Sequence, residues 1–207
     1  MSEWNSVVTN QLNALTQEQK INNALIITGF FRDLGWTDES IAGMLGNMEI
    51  ESQMNPGQFQ AGYPMTYESQ GGFGLVQWTP VSKFASWAGQ YWMTDYNRQL
   101  YRIRAEYTGT YIQWIPVAAY DYMTFYQFSQ STASPAYLAM AWEYSYERGT
   151  PATEQRQAAA NYWYTQITGQ PAPPLPPDPP APSAGIPKWL LLRIAIDRRN
   201  YVRQEDK

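Results

Sequence analysis

The chain has 207 residues, enough for one well-buried domain with extensions, and its 14 Lys and Arg against 18 Asp and Glu leave no excess positive charge to neutralise a phosphate backbone, so nucleic acid is not an expected partner. It contains no histidine and no cysteine, which excludes Ser-His-Asp triads, Cys-His nucleophile pairs and zinc sites of the usual His/Cys type; no metal or other cofactor is expected. If the chain is a hydrolase, the groups left to move protons near neutral pH are carboxylates, the equipment of glycoside cleavage.

The first twenty residues show no basic start followed by an apolar run, so no secretory signal is expected there. From Trp4 to about Leu34 apolar residues recur at mostly helical spacing, Leu12, Leu15, Ala24, Ile27 and Phe31 among them, which predicts one or two helices ended by Gly35. Thr37 before Asp38 and Glu39 is a hydroxyl cap followed by negative charge where the helix dipole favours it, so the next helix is placed from about Asp38 to Ser52, stopped by Pro56-Gly57. Ile41, Met44, Leu45 and Met48 form one apolar stripe on it, and Glu51 continues that stripe into the last turn. A carboxyl on the margin of a buried stripe stands at an opening, where partly apolar surroundings penalise its charged form and suit it to act as a general acid. Glu49 reads as a solvated charge pointing away from it.

Residues 57–79 have neither period and carry Gly62, Gly71, Gly72 and Gly74, which predicts loops with a short hairpin. Helix signals then return. Thr79-Pro80, Ser134-Pro135 and Thr150-Pro151 each read as a cap with proline in the first helical position, while Gly149 and Gly169 stand where C-terminal caps belong. The sum is a mostly helical domain of roughly seven helices over residues 1–169. The 9 Trp and 16 Tyr supply core volume for the most part, and sugar-stacking faces otherwise. Residues 170–187 are rich in proline and read as a stiff polyproline spacer. In residues 188–207, Trp189, Leu192 and Ile196 share a helical face with arginines between and after them, which predicts an amphipathic docking helix. Its apolar stretch is broken by Arg193 and is too short to span a bilayer.

Two stretches are recognisable together. Ile41-Ala42-Gly43-Met44-Leu45-Gly46-Asn47-Met48-Glu49-Ile50-Glu51-Ser52-Gln53-Met54-Asn55-Pro56, followed by Gly71-Gly72-Phe73-Gly74-Leu75-Val76-Gln77-Trp78-Thr79, resembles the phage tail lysozyme family, in which a helix ending in Glu-Ser-x-Phe/Met-Asn-Pro precedes a Gly-Tyr/Phe-Gly-Leu-x-Gln-Trp turn. Trp142 to Pro151, with Arg156 and Ala158 to Tyr164 downstream, is similar to the end of that family's domain. The likeness covers about residues 20–168.

The resemblance implies a mainly α, lysozyme-like helical domain with a small loop and hairpin lobe, ahead of the proline-rich linker and C-terminal helix. It puts Glu51 at the family's catalytic glutamate and Gln77 with its neighbours on the floor of a glycan cleft. Gly72 lets the backbone approach a ligand, Gln77 hydrogen-bonds to hydroxyl or N-acetyl groups, and Phe73 and Trp78 are candidate stacking faces. A second carboxylate is not evident: animal-type lysozymes place an aspartate just before the corresponding turn, where this chain has Gly72. Glu68 from the loop and Glu147 from the later helix are the alternatives, Glu147 otherwise serving as partner to an arginine such as Arg156. A one-glutamate mechanism, ending in hydrolysis or in lytic transglycosylation, would suit this pattern. The implied role is a virion-associated, cell-wall-degrading glycosidase, made in the host cytoplasm and carried by the phage tail, that acts on peptidoglycan glycan strands during entry and meets other virion proteins through its C-terminal helix. An inactive glycan-binding tail component and a soluble endolysin are the alternatives.

Overall fold

Seven α-helices occur among residues 3–148 and 152–174, the part of the chain that the computed structural model describes. They are α1 (Gln17–Asp33), α2 (Asp38–Ser52), α3 (Val81–Ala88), α4 (Asn97–Tyr107), α5 (Phe125–Ser129), α6 (Pro135–Trp142) and α7 (Thr153–Thr168). The expected mainly α domain is therefore present.

Helix α2 is the axis of the fold. Its N-cap is Thr37, whose hydroxyl accepts from the Ser40 N–H, and it ends at Gln53 in the left-handed conformation. Residues Ser40 to Met48 are all buried, because α2 packs against α7 and α6 and touches α1 and α5. Two glycines permit that approach. A Cβ at Gly43 would stand 2.8 Å from the Leu138 Cβ on α6, and one at Gly46 would stand 2.7 Å from the Arg156 carbonyl and 2.8 Å from the Ala160 Cβ on α7. Without side chains at 43 and 46, the backbones of three helices meet closely, and residues of α6 and α7 reach the end of α2.

The N-terminal stretch differs from expectation. A single helix begins at Gln17, closed by a capping box between Thr16 and Gln19. Residues 3–16 instead run as an extended strap. Their backbone groups bond to buried amides rather than to each other: Asn23 with Asn5, and Asn55 with Val7. Thr79-Pro80 is also not the expected cap. Pro80, joined to Thr79 by a cis peptide, is itself the residue before α3, and the Thr79 hydroxyl donates to the Gln77 carbonyl. Ser134-Pro135 does cap α6, and Gly169 ends α7 with φ +71°. Thr150-Pro151, Gly149, most of the proline-rich linker and the docking helix lie outside the described residues.

The small lobe between α2 and α3 holds only isolated bridges, Thr9 with Gln58, Phe59 with Phe73 and Phe73 with Trp78. Most of the described Phe and Trp side chains fill the interior, while most tyrosines do not. Trp36, Trp114, Phe125, Phe128, Trp142 and Tyr146 form one connected cluster of rings behind α2, and Phe59, Phe73, Trp78, Phe84 and Trp92 form another beneath the small lobe.

Candidate functional site

Glu51 lies in the last turn of α2 with its side chain 21% exposed. Its Oε1 accepts from Nη2 of Arg156 at 2.7 Å, across 105 residues of sequence. Arg156 is buried on α7, and the Gly46 contact brings its backbone against α2. Its other donors are also engaged. Nη1 donates to Asn47 Oδ1 at 2.9 Å, one turn before Glu51, and Nε lies 2.5 Å from a Glu143 carboxylate oxygen. The last contact is an ion pair without hydrogen-bond alignment. Asn47 is held in turn by donating to the Gly43 and Ala139 carbonyls. Glu51 is thus anchored from below by one arginine shared among α2, α7 and the end of α6.

After Trp142, α6 widens into a π-helical turn, Glu143–Glu147, ending at Arg148 with φ +56°. Such turns are frequent at functional sites because they re-aim side chains out of helical register. Here the turn sends Glu143 toward Arg156 and Glu147 toward Glu51. Glu147 accepts from the Trp142 indole N–H at 2.8 Å. Burial foremost, and then the charge of Glu51, push the Glu147 carboxyl well above the ordinary glutamate value of 4.5, against the indole bond and Arg156. Glu143 is also raised, by burial and by Glu51, with Arg156 opposing. Burial and the neighbouring carboxylate charge thus favour the protonated forms of Glu143 and Glu147.

A cleft of about 290 Å³ brings Glu51 and Glu147 onto one surface, together with Gln58, Gln60, Gln77 and Thr79, the edges of Phe59 and Ala61, and Leu12 of the strap. Gln77 has φ +49°, and its amide donates to the Gly74 and Gln58 carbonyls at 2.9 and 3.1 Å. Gly74, at φ +83°, is where the turn needs glycine: a Cβ there would strike Gln99 Oε1 at 2.6 Å, the atom that accepts from the Leu75 N–H. At Gly72 a Cβ would stand 2.9 Å from both the Cβ and Oε1 of Gln77. A side chain at position 72 would therefore displace the Gln77 side chain.

Several sequence expectations change. Phe73 and Trp78 are not stacking faces. They are 0% and 2% exposed and pack on Phe84, because the antiparallel bridge between them sets both rings on one inward face while Gln77, beside Trp78, faces out. Glu68 is exposed and absent from the cleft lining. Glu147 is not the partner of Arg156; that place belongs to Glu51 and Glu143. Glu49 is not a free charge, for it pairs with the buried Lys20 at 2.8 Å. Sequence reading missed Glu143, and also Glu106, a buried carboxylate that accepts from Arg102 Nε at 2.8 Å, from the Trp78 indole at 3.2 Å and from the Tyr146 hydroxyl. Glu106 joins the residue after Gln77 to the residue before Glu147, so it ties the two walls of the cleft together. The Glu143 and Glu147 spacing of four was the available signal, but the π turn broke the helical register that would have interpreted it.

The phage tail lysozyme family model matches residues 22–167. Among curated proteins, morphogenesis protein 1 of Bacillus phage B103 is 38% identical over 159 residues, which is 75% of this chain and 42% of that protein. The chain therefore spans less than half the length of that relative.

Proposed function

We propose, from the premise that the chain belongs to the phage tail lysozyme family, that it hydrolyses the glycan strands of peptidoglycan, with Glu51 and Glu147 as the reacting carboxyl pair. The observation that carries this reading is their meeting in one cleft, where burial and the charge of Glu51 favour the protonated form of Glu147. Glycoside hydrolysis needs a proton for the leaving oxygen and a carboxylate facing the positive charge that develops at the sugar carbon. A carboxyl that favours its neutral form beside a second carboxyl supplies both.

In this scheme the proton passes from Glu147 to Glu51 as the strand binds, and Glu51, at the position matching the family's motif, delivers it to the glycosidic oxygen as the C–O bond breaks. Glu147 then faces the oxocarbenium-like centre as carboxylate and takes a proton from the attacking water. Arg156 orients Glu51, and the amides of Gln58, Gln60 and Gln77 hold N-acetyl and hydroxyl groups of the strand. Glu51→Gln is expected to lower release of reducing ends from purified peptidoglycan by about 10²-fold or more with an unchanged helical spectrum. Near-normal activity in that variant would reject the assignment, and anhydro sugar ends in place of reducing ends would replace hydrolysis by transglycosylation.

The relative's name, morphogenesis protein 1, supports a place in the phage particle. Carriage by the virion fits a wall-opening role during entry, with residues 188–207 as the segment that meets other virion proteins. An inactive structural component is the second reading that this name favours, and the Glu51→Gln comparison separates the two.

A further inference from the structure

The family model starts at residue 22, yet one side of the cleft comes from before that point. Residues 3–16 cross the segment that follows Glu51 and are tied to it along their length. Asn55 exchanges two hydrogen bonds with Val7, at 3.1 and 2.8 Å. Thr9 donates its N–H to the Gly57 carbonyl and accepts from the Phe59 N–H at 2.7 Å. Gln53 holds the backbone and side chain of Asn13. Gly57 leaves room for this lay of the chain, since a Cβ there would stand 2.7 Å from the Val7 carbonyl. Pinned on both sides, at Thr9 and Asn13, Leu12 lies over the cleft. It is 60% exposed while lining the same surface as Glu51.

An isolated exposed leucine needs no explanation. One tied by hydrogen bonds on both sides and lining the same cleft as Glu51 does. The lining combines the polar side chains of Gln60 and Gln77 with the apolar Leu12 and Ala61. An N-acetylated sugar matches that contrast, with an amide and hydroxyls for the glutamines and a methyl and C–H face for the leucine. We infer that residues 3–16 are a working wall of the glycan cleft and that Leu12 is a substrate-contacting residue that sets affinity for the strand. This rests on the glycan reading above but not on which carboxyl reacts.

The exposure of Leu12 makes the test clean, because its replacement removes no core contact. In the full chain, Leu12→Ala and Leu12→Ser are measured against wild type for KM and kcat on soluble glycan strands. Binding of a tetrasaccharide of alternating N-acetylglucosamine and N-acetylmuramic acid is followed by calorimetry in a Glu51→Gln background, where nothing is consumed. The expected result is about a fivefold rise in KM and in the tetrasaccharide Kd with kcat little changed, as loss of uniform apolar contact gives, and near-complete recovery in Leu12→Met. Unchanged KM and Kd would overturn the inference. A fall in kcat together with a lowered melting temperature would also overturn it, by making the strap a brace and not a contact. A fully active Glu51→Gln would reject the catalytic pair while the Leu12 effect on KM still reported on the lip, so the two failures are distinguishable.

Discussion

Glu147 has the most altered carboxyl at the site, and its behaviour with pH follows from the direction of that alteration. Its folded value is raised by burial and by the Glu51 charge, so the protonated form is favoured in the folded state. Any contribution to stability is then fully present below the ordinary value of 4.5 and is lost as pH rises through the raised folded value. Glu147→Gln keeps the neutral shape. Its melting temperature should therefore exceed that of wild type at pH 8 and match it below the ordinary carboxylate range, as scanning calorimetry at the two pH values would read. Activity should fall on the alkaline side as the pair loses its shared proton. In Glu147→Gln the rate should drop by at least about tenfold and that alkaline limb should move. Retention of full activity with the limb in place would return the mechanism to a single glutamate.

How the helices are brought together decides where these groups stand. Gly46 on α2 allows the backbone of α7 to approach at the residue that carries the Arg156 guanidinium. Gly46→Ala should force α7 away, costing about 1–3 kcal/mol of stability, the usual range for overpacking, and weakening the hold on Glu51. Gly29→Ala in α1 is the matched control, because a Cβ there meets nothing within 4 Å. It should gain about 0.5–1 kcal/mol through helix propensity with no change in activity. Denaturant midpoints and peptidoglycan turnover for the pair distinguish crowding at one glycine from a general effect of removing glycine. If both variants behave alike, the close approach of α2 and α7 is not what positions Arg156. The extent of α2 was legible in the sequence, since Thr37, the acidic first turn and Pro56 are local signals that act within a few residues. The π turn at Glu143–Glu147 was not, for its register depends on Arg156 and Trp142 binding carboxyls from the same turn.

Taken whole, the described chain places its cleft within residues 12–147 and its supporting arginine at 156, while α7 closes at Gly169. A chain ended after residue 174 should therefore cleave isolated peptidoglycan as the full chain does, and should be absent from assembled particles, measured by turnover and by blotting purified virions. Normal incorporation of the shortened chain would remove the docking role from residues 188–207. The boundaries of α2 and the place of Glu51 in its last turn were legible from spacing and caps, because each is set by neighbours close in sequence. Three decisions lay beyond that reach. Phe73 and Trp78 were turned inward by Phe84, Glu147 was brought to Glu51 by helices that meet across about a hundred residues, and Leu12 was laid over the cleft by Asn55 and Gln53. Each depends on which side of a side chain is buried against a partner remote in sequence. Local propensity carries no record of such a partner, since burial and charge pairing arise only once distant segments exclude water between them.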